Sequence, residues 1–175
     1  MSKSRKDQID QDERKLLNEL IKNSKENIDT VAKHCGFSRQ KTWRMIKQLE
    51  AKQLIWGYTA VFDEEKIGLN HFLLLLKRTS KEVTEQQIDT IVSRKTEDLA
   101  KEQGVTLETS AFIHGEYDWL LTFTAEDIIQ AKKFTDKLIA LYPQAIEKMQ
   151  MIQTLMFMRK HYILNPDRKK LKDFM

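Results

Sequence analysis

Between Ile28 and Lys52 two segments of helical period meet at Gly36-Phe37-Ser38, and this junction restricts the possible architectures more than any other stretch of the chain. Ile28, Val31, Ala32 and Cys35 stand at i, i+3, i+4 and i+7, which predicts a short helix behind an Asp29 cap, ended by Gly36. Ser38 then caps a longer helix from Arg39 to about Lys52, in which Thr42, Met45, Ile46 and Leu49 repeat the spacing and face inward. Upstream, Asp10 and Glu13 have capping-box spacing, and Leu16, Leu17, Leu20 and Ile21 predict a first helix from about Gln11 to Lys22. Leu54-Ile-Trp-Gly-Tyr-Thr-Ala-Val-Phe62 is rich in β-formers and Gly57 interrupts it, as in a strand or short hairpin. Three helices and a hairpin make a winged helix-turn-helix.

The charge of the third helix is one-sided. From Lys33 to Trp56 the basic residues are Lys33, Arg39, Lys41, Arg44, Lys47 and Lys52, against the single acid Glu50. At roughly 100° per residue, Arg39, Gln40, Trp43, Arg44 and Lys47 cover an arc of about 140° pointing largely away from the apolar stripe. The third helix of such a motif enters the major groove of double-stranded DNA, so Ser38, Arg39, Gln40, Lys41, Trp43, Arg44, Lys47 and Lys52 are the candidate DNA-binding residues. Arginine can bind guanine bidentately and glutamine adenine, whereas Lys33, Lys41 and Lys52 suit phosphates; Trp43 could pack on sugar or a thymine methyl. The plainer alternative is a solvated basic helix face.

After the polar link Asp63 to Lys66 the texture changes. A strand is expected at about Asn70 to Lys77, then a helix from about Thr84 to Lys101 carrying Ile88, Ile91, Val92 and Leu99. Val105, Leu107, Thr109, Ala111 and Ile113 alternate as a second strand, and His114-Gly115-Glu116 turns into a third with Tyr117, Trp119, Leu121 and Phe123 on one face. Ile128, Ala131, Phe134, Leu138 and Leu141 predict a helix ended by Pro143, and a long β-like segment from about Ile146 to Ile163 follows. The order βαββαβ is ferredoxin-like, so the fold class is α+β, with both helices on one face of an antiparallel sheet. Met149, Met151 and Leu155 alternate with Ile152, Met156 and Met158, which implies that the second face is covered by another subunit, in a homodimer or larger. The expected domains are 1–63 for DNA, 64–165 for ligand sensing and oligomerisation, and a basic tail over 166–175.

Ile9-Asp-Gln-Asp-Glu-Arg-Lys-Leu-Leu17, Val31-Ala-Lys-His-Cys-Gly-Phe-Ser38 and Leu54-Ile-Trp-Gly-Tyr-Thr-Ala-Val61, with Gly115-Glu-Tyr-Asp118 ahead of an apolar strand, resemble the Lrp/AsnC (feast/famine) transcription regulators over nearly the whole chain. The resemblance implies a dimer formed through the sensing domains, in some members a tetramer or octamer, that binds palindromic promoter DNA and responds to an amino acid or similar small metabolite. It also implies effector contacts at Gly115, Tyr117 and Asp118, against which stands a purely structural role for Gly115 and Asp118 in the turn. Two positions depart from the family pattern: Met45 replaces a usual arginine of the recognition helix, and Gln53 a usual glycine before the wing strand.

Other chemistry finds little support. None of His34, His71, His114 and His161 pairs with another ligand at a recognised metal spacing, and no phosphate loop or nucleophile elbow occurs, so no metal, cofactor or catalytic residue is expected. The polar N-terminus, the single Cys35 and the shortness of the apolar run Phe72 to Leu76 point to a cytoplasmic protein with no membrane partner. Two alternatives stay open. One is a sirohaem-type tetrapyrrole decarboxylase on the same fold, using His71, His114, His161 and Arg159; the other is an architectural DNA-binding protein of low specificity, with which the basic tail Arg168 to Lys172 is compatible, the plainer account of that tail being a charged, frayed terminus.

Overall fold

The computed structural model describes residues 10–175, so Ile9 and the polar stretch before it lie outside the described residues. Two compact units emerge: the described residues up to Val61 together with Met158–Met175, and Phe62–Phe157. The grouping of Met158 onward with the helical unit departs from the expected span 64–165, and each unit is described by itself.

The first unit opens with α1 (Gln11–Lys22), α2 (Ile28–Cys35) and α3 (Arg39–Ala51). Asp10 and Glu13 form the expected capping box. The cap of α2 is Asn27 rather than Asp29: Asn27 Oδ1 accepts from Thr30 N at 2.9 Å, which starts the helix two residues earlier than an Asp29 cap allows. Leu16, Val31, Cys35, Met45 and Leu49 are buried together, with Leu17, Leu20, Phe37, Ile46 and Ile55 packed around them. Met45 is thus a core residue. Truncating a fully buried leucine such as Leu16 or Leu49 to alanine costs about 2–5 kcal/mol in sites of this kind.

Two turns set the geometry of α3. Gly36 adopts the left-handed conformation (φ 67°, ψ 32°) and Phe37 N donates to Ala32 O at 2.9 Å, which reverses the chain without a gap in hydrogen bonding. After α3, Gln53 is also left-handed (φ 56°), in the conformation that favours glycine, and Leu54 N donates back to Leu49 O. The segment that follows differs from expectation. No residue from Leu54 to Phe62 joins a strand among the described residues, and Trp56 stands 95% exposed. A strand requires a partner for its backbone groups, and the described residues offer none here.

The second unit holds β1 (Asn70–Arg78), α4 (Glu85–Val92), α5 (Lys95–Glu102), β2 (Thr106–Phe112), β3 (Trp119–Ala125), α6 (Ile128–Leu141) and β4 (Ile146–Gln153). The sheet order is β2-β3-β1-β4 with every pair antiparallel, the ferredoxin-like arrangement. The expected single helix over 84–101 is two helices, because Arg94 turns left-handed (φ 63°) between α4 and α5. Phe72, Leu74 and Leu76 of β1, Leu121 and Phe123 of β3, and Phe134 and Leu138 of α6 form the core; Phe123 stacks with Phe72 and meets Phe134 edge to face. Leu73 and Leu75 project to the opposite face, which is less covered.

The expected long terminal strand stops at Gln153. Beyond it a small hairpin, β5 (Arg159–Lys160) and β6 (Ile163–Leu164), turns through His161 and Tyr162, both at positive φ as a two-residue hairpin of this hand requires. A 3-10 helix follows at Arg168–Asp173. Among the described residues no helix is long and apolar enough to cross a membrane.

Candidate nucleic-acid interface

Of the predicted residues, Arg39, Gln40, Trp43, Arg44 and Lys47 share the exposed side of α3, whereas Lys41 and Lys52 turn toward α1, where Asp12 and Glu13 pair with them. Ser38 is the N-cap of α3, its hydroxyl accepting from Lys41 N at 3.2 Å, while the buried Thr42 hydroxyl donates to Ser38 O and anchors the opposite side. Ser38, Arg39, Gln40, Lys41, Trp43 and Arg44 line an open depression of 410 Å³, and Trp43 is 57% exposed beside it. A large indole left half in water on a helix whose other face is fully packed is an unspent contact surface.

Most of the cations around this surface already have partners. Arg39 Nη1 lies 2.8 Å from Asp29, Lys41 pairs with Asp12, Lys47 lies 2.8 Å from Glu50, and Lys52 Nζ lies 2.8 Å from Glu13. Lys41 also sits 4.2 Å over the Phe37 ring. Arg44 is exposed and has no ion pair among the described residues. The structure therefore separates the predicted contacts into Arg44, Gln40 and Trp43, which are uncommitted, and four cations that also hold the helical unit together. Sequence spacing did not reveal this division, because three of the four acids lie on α1 and α2.

The Lys47–Glu50 pair reaches further. Tyr58 OH donates to the second oxygen of Glu50 at 3.1 Å and ties the segment after α3 back onto the helix. The Lys47 bond first, and the Tyr58 bond with it, hold the Glu50 carboxyl below the usual range against a smaller opposing effect of burial. Burial first, then Glu50, pushes the Tyr58 hydroxyl up.

In the second unit Gly115, Tyr117 and Asp118 lie together between β2 and β3. Gly115 is exposed, and a Cβ there would meet nothing within 4 Å. Tyr117 OH donates to Gln150 at 2.6 Å, and Lys148 lies over its ring while pairing with Glu116 at 2.9 Å. Asp118 accepts from Arg78 N at 2.9 Å and approaches the Arg78 guanidinium at 3.4 Å. The turn is thus clamped to the end of β1 and to Lys148 and Gln150 within β4, and the Asp118 carboxylate is engaged in that clamp.

Two clusters had no signal in the sequence. His71, almost fully buried, bonds Thr154 through Nδ1 at 2.7 Å and Glu108 through Nε2 at 3.0 Å, with Phe157 edge-on. Glu108 reaches it from the irregularity in β2 between Leu107 and Thr109, and no spacing rule relates positions so far apart. Enclosed in this way, His71 is not open to a tetrapyrrole. His34 Nδ1 lies 2.6 Å from Glu19, a hydrogen bond that fastens α2 to α1, and 3.7 Å from Glu26.

Comparison with known proteins agrees with this geometry. A family model described as winged helix-turn-helix DNA-binding matches residues 9–55. An uncharacterized HTH-type transcriptional regulator of Pyrococcus abyssi is 31% identical over 121 residues, covering 68% of this chain and 75% of that protein. An AsnC family transcriptional regulator from Agrobacterium tumefaciens superposes with a TM-score of 0.65 at 21% identity, over 91% of this chain and 98% of that one. A transcriptional regulator from Neisseria meningitidis, solved as its L-Met complex, superposes with a TM-score of 0.66 at 18% identity, over 87% of this chain and 94% of that one. With its helix-turn-helix and ferredoxin-like sheet, the chain belongs to the Lrp/AsnC family and is a DNA-binding transcription regulator rather than an enzyme built on the same fold.

Proposed function

We propose that the protein is a sequence-specific regulator acting as a homodimer, in which two copies of α3 enter successive major grooves of a palindromic site about one helical turn apart. The observation that carries this reading is the trio on α3 that is uncommitted among the described residues: Arg44 without an ion pair there, Gln40 beside it, and the half-exposed Trp43. In this reading Arg44 and Gln40 take base edges and Trp43 a sugar or thymine methyl, while Ser38, Arg39, Lys41, Lys47 and Lys52 hold phosphates, the four cations by exchanging their carboxylates for them. The face of the sheet that carries Leu73 and Leu75 supports pairing with a second copy, since an apolar sheet face is covered in stable folds. The DNA-binding role falls to residues 1–63 and the sensing and assembly role to the ferredoxin-like part.

The sensing role rests on the turn at Gly115, Tyr117 and Asp118, and the L-Met complex of the Neisseria meningitidis protein favours an amino acid as the effector class. An effector shifts DNA affinity only through different affinities for assemblies with different spacings of the two α3 helices. The test is selection of duplexes from a random DNA pool at near-physiological salt, followed by sequencing. A palindromic motif with half-sites about one turn apart is expected; bound DNA with a flat sequence profile would overturn the reading in favour of an architectural protein. Light scattering that gave a stable monomer at micromolar concentration would remove the dimer from it.

A further inference from the structure

The charge of the chain is distributed unevenly. Residues 158–175 hold six Lys or Arg against two Asp, an excess equal to the +4 of the whole chain. Everything before Met158 is therefore balanced overall, and on the helix-turn-helix itself Arg39, Lys41, Lys47 and Lys52 are neutralised locally by Asp29, Asp12, Glu50 and Glu13. The segment that carries the excess belongs to the same compact unit as α1, α2 and α3. It is also shaped: the β5–β6 hairpin is closed by Arg159 Nη1 donating to Tyr162 O at 2.7 Å, the Asn165 side chain accepts from Asp167 N at 2.8 Å, and the 3-10 helix Arg168–Asp173 follows. Leu171 is partly buried, whereas Arg168, Lys169 and Lys172 are exposed and make no ion pair among the described residues. In a 3-10 helix residues i and i+3 eclipse, so Lys169 and Lys172 stand one above the other, about 6 Å apart along the axis.

Resting on the reading of α3 as the DNA-reading helix, we infer that Arg168, Lys169 and Lys172 form a second DNA contact of the helix-turn-helix unit, one that takes duplex phosphates and reads no bases. An uncompensated cation gains more at a phosphate than one that must first give up a carboxylate. This segment therefore supplies the sequence-independent part of the affinity, and α3 supplies the discrimination.

The full-length protein and the triple variant Arg168→Gln, Lys169→Gln, Lys172→Gln are titrated with a selected duplex and a random duplex across a salt series. Each phosphate contact contributes about 0.9 to the slope of log affinity against log salt, so the variant is expected to lose about 2 to 3 from the slope, with equal fold losses on both duplexes. A charge-conserving variant, Arg168→Lys, Lys169→Arg, Lys172→Arg, is expected to keep the wild-type slope, which separates charge from folding. Unchanged slope and affinity in the glutamine variant, or a matching loss in the charge-conserving one, would overturn the inference while leaving α3 as the reading helix. Failure of the wild type to bind any duplex would overturn that underlying reading and this inference with it.

Discussion

Lys52 Nζ lies 2.8 Å from Glu13 Oε1, so the residue that caps the end of α3 is tied to the capping box that begins the first helix. Half of the Lys52 side chain remains in water while Glu13 is nearly buried. Lys52→Ala should therefore cost the helical unit only a surface-pair increment, about 0.2–1 kcal/mol. It should also weaken binding to all duplexes alike. Urea denaturation followed by circular dichroism checks the first effect, and parallel titrations of selected and random DNA check the second. A loss confined to the selected duplex would assign Lys52 to base reading instead.

Arg44 has no such structural duty among the described residues, and its truncation should leave stability unchanged. Arg44→Ala should cost about 1–3 kcal/mol on the preferred duplex and relax one base position, with little change on random DNA. Repeating the duplex selection with the variant reads this directly, and an unaltered motif would contradict it.

Gly36 and Gln53 share the left-handed conformation but not the residue that suits it. Among the described residues the space around Gly36 is open, with Lys15 Nζ at 4.0 Å the neighbour a Cβ would meet, so the penalty of Gly36→Ala is of the backbone alone, about 1–2 kcal/mol. Gln53→Gly should act in the opposite direction, raising stability by up to about 1 kcal/mol after the added freedom of the unfolded chain is set against the relief. Thermal unfolding of the two variants should move to opposite sides of the wild type.

The Lys47–Glu50–Tyr58 chain predicts a pH dependence with two limbs. The folded Glu50 carboxyl is held low, so its contribution is present above the unfolded value of about 4.3 and lost as pH falls through the lower folded value. The folded Tyr58 hydroxyl is raised, so its contribution is present below about 10 and lost as pH rises through the higher folded value. Glu50→Gln should remove the acid limb and bring the Tyr58 titration, read by ultraviolet absorbance, closer to that of free tyrosine. Tyr58 should stay partly raised, since burial is the larger cause.

Periodicity located what depends on a local repeat. The α1, α2 and α3 stripes, the core face of β1 and the Gly36 turn could be read because a buried face must recur every three to four or every two residues. Long-range pairing could not. Asn27 and Asp29 are equally good caps on composition, and the folded chain uses Asn27. The break at Arg94 falls in a stretch with no glycine or proline to announce it. Leu54 to Phe62 has the composition of a strand, yet strand formation needs a partner edge that composition does not supply. At the candidate site the outward residues were legible, whereas Asp29, Asp12 and Glu13, which neutralise three of them from other helices, were not.

The left-handed Arg94 also divides the domain in time. One continuous helix would open and close as a unit, but α4 is severed from α5 and buries none of its residues. Its amide protons should exchange with solvent through small local fluctuations, at rates far above those of Phe72 and Phe123, whose protons wait for the whole sheet to come apart. The domain thus keeps one quickly opening edge against a core that opens only in global unfolding.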